Sequence, residues 1–143
     1  MEYYFAYGSN MNFKQMKRRC KGAQFLCRAY LEGYKFVYDG YSSSREGAVA
    51  NVIPTDNKND KVWGGLWLIT EEDLKSLDNY EGYPLVYQRK KVVVKNDEGE
   101  EFEAWVYLRA PQRLGKPSKG YLKVILEGAK DCNLPEDYIQ KIL

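Results

Sequence analysis

Glu81 is the carboxylate best placed for proton transfer. It lies between Asn79-Tyr80 and Gly82-Tyr83-Pro84, with Tyr87 close behind. The end of a predicted helix carries partial negative charge and disfavours an ionised carboxylate. An aromatic surrounding adds desolvation, which raises its pKa further. Both effects move a glutamate toward the range useful for general acid–base chemistry at neutral pH. An exposed surface glutamate satisfies the same pattern, so the residues alone leave both readings open. Asp78 sits three positions earlier on the same predicted helix face. It is expected to hydrogen-bond locally and fix the helix end, with no part in catalysis.

The second candidate is a loop. The apolar run Tyr3-Tyr4-Phe5-Ala6-Tyr7 leads straight into Gly8-Ser9-Asn10-Met11, and a charged segment follows over 12–20. Glycine admits unusual backbone angles and a close ligand approach. Backbone N–H groups in such a turn, next to a helix start, form a nest for a carboxylate or phosphate. A plain strand-to-helix turn has the same residue pattern.

Other chemistries are narrowed by what the chain lacks. It has no histidine, which removes histidine triads and His–zinc sites. Cys20, Cys27 and Cys132 are odd in number and show no CxxC pairing, so neither a disulfide framework nor a metal knuckle is expected. Proton transfer must then use Glu, Asp, Tyr, Lys or Cys. A thiol nucleophile would need a depressed pKa, and no histidine can supply it. The net charge of +2 gives no argument for nucleic acid. The basic run Lys17-Arg18-Arg19-Cys20-Lys21 reads as a solvated helix face. No apolar run is long enough to cross a membrane, and the N-terminus does not resemble a signal peptide. A cytoplasmic location is expected.

The elements that must position these residues follow from periodicity. The 143 residues suit one domain, 1–143. A short helix is expected over 13–20. Residues 24–38 read as two strands or one bent strand, and 39–47 as a polar, mobile loop. Strands follow at 48–53 and 62–69, where Gly64-Gly65 suggest a bulge or tight bend. Thr70 is a good N-cap for a helix running to about Tyr80, with Glu71, Glu72 and Asp73 complementing its dipole. Residues 87–95 and 101–109 form a hairpin. A helix is expected over 121–129, and Pro135 opens a last short one. Most of the 13 tyrosines are expected in strands. The fold class is α+β, a mixed curled sheet forming a small barrel flanked by helices.

Five segments occur in an order that resembles the γ-glutamylcyclotransferase family. They are YFAYGSN (4–10), VWGGLW (62–67), LDNYEG (77–82), PSKGY (117–121) and EGAKDCNLPEDY (127–138). The resemblance covers nearly all of the chain and implies the same mixed barrel. It implies that Glu81 is the catalytic acid/base. It also implies that Gly8, Ser9, Asn10 and Met11 hold the glutamyl moiety through backbone N–H groups, with Tyr4, Phe5, Ala6 and Tyr7 lining the same pocket. Tyr121 would contact the glutamyl group through its hydroxyl, and Tyr87 would support or orient Glu81. Met11 stands where family members often carry leucine, a conservative exchange.

The implied reaction is a cofactor-independent cyclisation of γ-glutamyl amides to 5-oxoproline and a free amine. The substrate's own α-amino group is the nucleophile, so no cofactor, metal or protein nucleophile is required. The expected partner is a small γ-glutamyl molecule, with no nucleic acid and no membrane, and a homodimer is left open. The alternative is a binding module of the same fold without turnover.

Overall fold

A computed structural model describes all residues, Met1–Leu143. Five strands close into a barrel: β1 (Glu2–Ala6), β5 (Lys61–Ile69), β2 (Gln24–Glu32), β6 (Gln88–Lys95) and β7 (Glu101–Leu108). Every neighbouring pair is antiparallel except β1 and β7, which close the barrel in parallel at Tyr4 and Trp105. Strands β3 (Tyr34–Ser42) and β4 (Gly47–Pro54) form a separate antiparallel hairpin. Helices α1 (Phe13–Arg19), α2 (Glu71–Glu81), α3 (Lys119–Asp131) and α4 (Glu136–Lys141) complete the α+β domain. No helix is long and apolar enough to cross a membrane.

The core is one continuous cluster built around Phe5, Met11, Met16, Leu66, Ile69, Leu77, Val94, Val106 and Ile125, all fully buried. Helix α2 begins on a complete capping box: the Thr70 hydroxyl accepts from the Asp73 amide, and the Asp73 carboxylate accepts from the Thr70 amide. Such a box satisfies two otherwise orphaned N–H groups. The helix ends at Glu81 because Gly82 takes a left-handed conformation with φ +66°. The Tyr83 amide then reaches back to the Asp78 carbonyl at 2.9 Å. A residue with a Cβ adopts that turn only under strain.

Three expectations are corrected. Gly64 and Gly65 lie in unbroken register; the irregularity is on the partner strand, between Phe25 and Cys27. The glycines serve close approach instead, since a Cβ on Gly64 would collide with the Ala6 carbonyl and the Phe5 ring. The loop expected over 39–47 is mostly strand, with only residues 43–46 outside β3 and β4. Asp39, the first residue of that expected loop, is fully buried within β3. Asp78 does not act locally: it accepts from Arg89 Nε at 2.9 Å and from the Tyr107 hydroxyl at 2.7 Å, tying α2 to β6 and β7.

Candidate active site

A cavity of about 650 Å³ opens where the end of α2 meets the loop after β1. Tyr4, Tyr7, Gly8, Ser9, Asn10, Glu81, Tyr87 and Tyr121 all line it. The chain thus brings together residues from its start, middle and last third. Phe5, Ala6 and Met11 are not on its wall. Phe5 points to the opposite face of β1 from Tyr4, as successive strand residues must, and is fully buried. Ala6 is sealed in the core at 1 % exposure. Met11 turns inward beneath α3, where Gly128 packs so closely that a Cβ there would press on Met11.

The loop contains a single 3₁₀ turn, Ser9–Met11. The Met11 and Asn12 amides close that turn onto the Gly8 and Ser9 carbonyls, both at 3.0 Å. The amides of Gly8, Ser9 and Asn10 donate to no protein acceptor and border the cavity. The Asn12 side chain caps α1 by accepting from the Gln15 amide. Gln15 in turn holds the loop from behind, donating Nε2 to Ser9 Oγ at 2.8 Å and to Asn10 Oδ1 at 2.9 Å.

Glu81 faces this loop. Its Oε1 accepts from Asn10 Nδ2 at 3.4 Å, and the same nitrogen donates to the Tyr4 hydroxyl at 3.0 Å. Burial pushes the Glu81 carboxyl up to about 7, while the positive charges of Arg19, Arg45 and Arg109 pull the other way. Its surroundings are Tyr4, Tyr7, Tyr87, Tyr107 and Tyr121, whose own ionisation its charge opposes. The tyrosines adjacent in sequence, Tyr80 and Tyr83, are instead exposed. The expected aromatic environment therefore forms from other strands and helices.

The two other tyrosine hydroxyls differ in availability. Tyr121 accepts from the Ala50 amide at 2.9 Å, which leaves its own proton free to point into the cavity. Burial pushes this phenol up to about 12, so it stays a donor at neutral pH. Tyr87 donates to the Ala50 carbonyl at 2.7 Å and accepts from Arg109 at 2.9 Å. Both sides of its hydroxyl are engaged, so it braces β4 against the end of β7.

Three arginines on the cavity were not anticipated. Arg109 is buried beside Asp39, 2.7 Å from Oδ1, but its Nη2–H is aligned on the Asp39 carbonyl at 2.9 Å. Oδ1 is held by charge without an aligned hydrogen bond. The pair is fastened further by Asn51 Nδ2 and the Gln112 amide, both donating to Asp39 Oδ2. Arg19 donates to Asn10 Oδ1 at 3.2 Å and stacks over the Tyr80 ring, so it is not the solvated residue expected. Arg45 donates to Gln15 Oε1 at 2.9 Å and lies over the Tyr121 ring. Neither Arg19 nor Arg45 has a carboxylate within ion-pair distance. Helical spacing held one clue: Arg19 falls four residues after buried Gln15, on the same face of α1.

The thiols stay outside this chemistry. Cys20 and Cys132 are buried, and burial pushes the Cys20 thiol up to about 12.

Known proteins share much of this chain's sequence and fold. The AIG2-like family matches residues 61–142. Gamma-glutamylcyclotransferase of Mus musculus is 33 % identical over 144 residues, covering 97 % of this chain and 76 % of the relative. The Homo sapiens protein of the same name gives the same identity and coverage. A solved gamma-glutamyl cyclotransferase structure superposes with a TM-score of 0.92 at 32 % identity, over 99 % of this chain and 85 % of that one. With its barrel, its YGSN loop and the glutamate that closes α2, the chain belongs to the γ-glutamylcyclotransferase, AIG2-like family.

Proposed function

We propose that this protein cyclises γ-glutamyl amides, releasing 5-oxoproline and the amine. One arrangement carries the reading: a glutamate with its pKa raised to about 7 faces three unengaged backbone amides across a cavity. The Gly8, Ser9 and Asn10 amides hold the glutamyl α-carboxylate, with Arg45 beside Ser9 adding positive charge at 3.5 Å. The Tyr121 hydroxyl donates a further hydrogen bond to the same moiety. Held at both ends, the substrate folds until its α-nitrogen meets its own γ-carbonyl. Orientation of this kind removes much of a barrier.

Proton traffic follows from the Glu81 pKa. Near neutral pH a useful fraction is ionised and takes a proton from the α-ammonium. The freed amine attacks the γ-carbonyl and a five-membered lactam forms. As the amide C–N bond breaks, Glu81 returns that proton to the departing nitrogen and then carries the second proton of the attacking nitrogen the same way, so the lactam keeps one N–H and the amine leaves as ammonium. A group with a pKa near the working pH does both steps efficiently. Asn10, hydrogen-bonded to Glu81, Tyr4, Gln15 and Arg19, fixes the carboxylate against the loop.

The test is 5-oxoproline release from a panel of γ-glutamyl amino acids and amines by the wild type and by Glu81→Gln. Release by the wild type that is lost in the variant supports the reading. Binding of the panel without release assigns the cavity to ligand binding alone.

A further inference from the structure

We infer that the outer half of the cavity is a subsite for a bulky apolar group on the leaving nitrogen, so that γ-glutamyl conjugates of large apolar amines or amino acids are preferred. The inference rests on the assignment of Glu81 as the acid–base group.

The cavity changes character with depth. Its inner wall carries Tyr4, Tyr7 and Tyr121, exposed by 3 %, 6 % and 6 %. Its rim carries Tyr41, Tyr80, Leu85 and Val86, exposed by 73 %, 57 %, 94 % and 60 %, beside the exposed polar residues Ser43, Ser44, Asn79 and Gln112. A single exposed apolar residue needs no explanation, but four gathered at one polar cavity mark a contact surface. They come from the end of β3 (Tyr41), the last turn of α2 (Tyr80) and the connection from α2 to β6 (Leu85 and Val86). The volume of about 650 Å³ lies in the range that drug-sized ligands fill, well beyond a glutamyl group.

The rim is also held in place. The Val86 amide donates to the Gly82 carbonyl at 2.8 Å and the Tyr87 amide to the Glu81 carbonyl at 3.2 Å. Gly82 packs against Val86 so closely that a Cβ would lie 2.8 Å from its Cγ2. Leu85 and Val86 are thus displayed from a closed turn that begins at Glu81 itself. Direction follows from the chemistry. Glu81 protonates the leaving nitrogen, and the glutamyl end occupies the inner wall. The substituent on that nitrogen has only the mouth to extend into, where it meets the apolar rim.

The experiment measures kcat/KM for γ-glutamyl-phenylalanine and γ-glutamyl-glycine with the wild type, Leu85→Ser and Val86→Thr. It adds calorimetric Kd values for both compounds with Glu81→Gln, which read binding without turnover. The wild type should favour the phenylalanine conjugate at least tenfold. Leu85→Ser should cut that ratio several-fold, and the isosteric Val86→Thr should cut it less. Since Leu85 is 94 % exposed, its replacement leaves the fold intact. A wild-type ratio near one, or a ratio unmoved by Leu85→Ser, overturns the proposal. A dimer that Leu85→Ser dissociates with the ratio unmoved also overturns it, and assigns the rim to contacts between copies. Tighter binding of the phenylalanine conjugate with no release of 5-oxoproline keeps the subsite and rejects the reaction.

Discussion

Asn10 and Glu81, 71 positions apart in the chain, meet at 3.4 Å across the cavity. Asn10 belongs to the loop that would hold the substrate, and Glu81 to the helix end that would move its protons. The same asparagine accepts from Gln15 and Arg19 through Oδ1. One buried side chain therefore sets the distance between the loop and the Glu81 carboxylate.

Replacing Glu81 by Gln keeps the size and the contact with Asn10 but removes the proton acceptor. On the proposed reaction kcat should fall by roughly 10²–10⁴, about 3–5 kcal/mol of transition-state stabilisation. Substrate affinity should change little. Steady-state kinetics on a γ-glutamyl dipeptide decide it, and a near wild-type kcat would remove Glu81 from the mechanism.

The pH profile has a defined sign. Glu81 must be ionised to accept the ammonium proton, so kcat/KM should rise with pH through a limb near 7. Arg19 is the leading charge that opposes the upward shift. Arg19→Met should therefore move the limb to higher pH. A limb that stays fixed in that variant would show that another group sets the profile.

The same burial costs stability once Glu81 is charged. Its folded pKa lies above the ordinary value of 4.5, so the protonated form is favoured by folding. That contribution is fully present below about pH 4.5 and is lost as the pH rises through about 7. Glu81→Gln should be more stable than wild type at pH 8, by about 1–3 kcal/mol, and nearly equal to it at pH 4. Urea denaturation at the two pH values measures this. Equal stabilities at pH 8 would mean that the carboxylate is well solvated.

Much of this arrangement was legible before any coordinates. The helix end just before Gly82, the Thr70 cap and the strand–loop–helix at Gly8 are local, and local chemistry is written in adjacent residues. The order of five segments carried the barrel and pointed to Glu81, which the fold places on the cavity. The bulge in β2 was not legible, because it depends on how Phe25 and Cys27 register against β5. Arg109 and Asp39 are 70 positions apart, and nothing in either neighbourhood announces a buried ion pair. Met11 looked like a loop residue because its burial depends on Gly128 of a distant helix.

Tyr121→Phe and Tyr87→Phe should separate binding from scaffolding. Loss of the free Tyr121 proton should raise KM by about tenfold with a smaller fall in kcat. Loss of the Tyr87 hydroxyl unpairs the Ala50 carbonyl and a donor of Arg109. It should lower unfolding stability by about 1–3 kcal/mol. The opposite pattern in the pair would exchange their roles.

Asp39→Asn tests the buried ion pair. The change leaves the Arg109 guanidinium buried without its counter-charge, which typically costs about 3–5 kcal/mol. A drop of that size in urea unfolding is expected. A drop below about 1 kcal/mol would mean that Asn51 and the surrounding amides carry the site by themselves.

The parallel pairing of β1 with β7 joins the first strand of the chain to the last. Residues 2–6 lie between β5 and β7, so the first strand has both neighbours only once chain from beyond residue 100 is in place. Contacts this distant in sequence form slowly, because the loop must close before they contribute. The loop that would grip the substrate hangs from the end of that strand, directly opposite Glu81. On the proposed reaction, turnover should return together with the closing of the barrel, and recovery of 5-oxoproline release after dilution from urea, timed against tryptophan fluorescence, would check this.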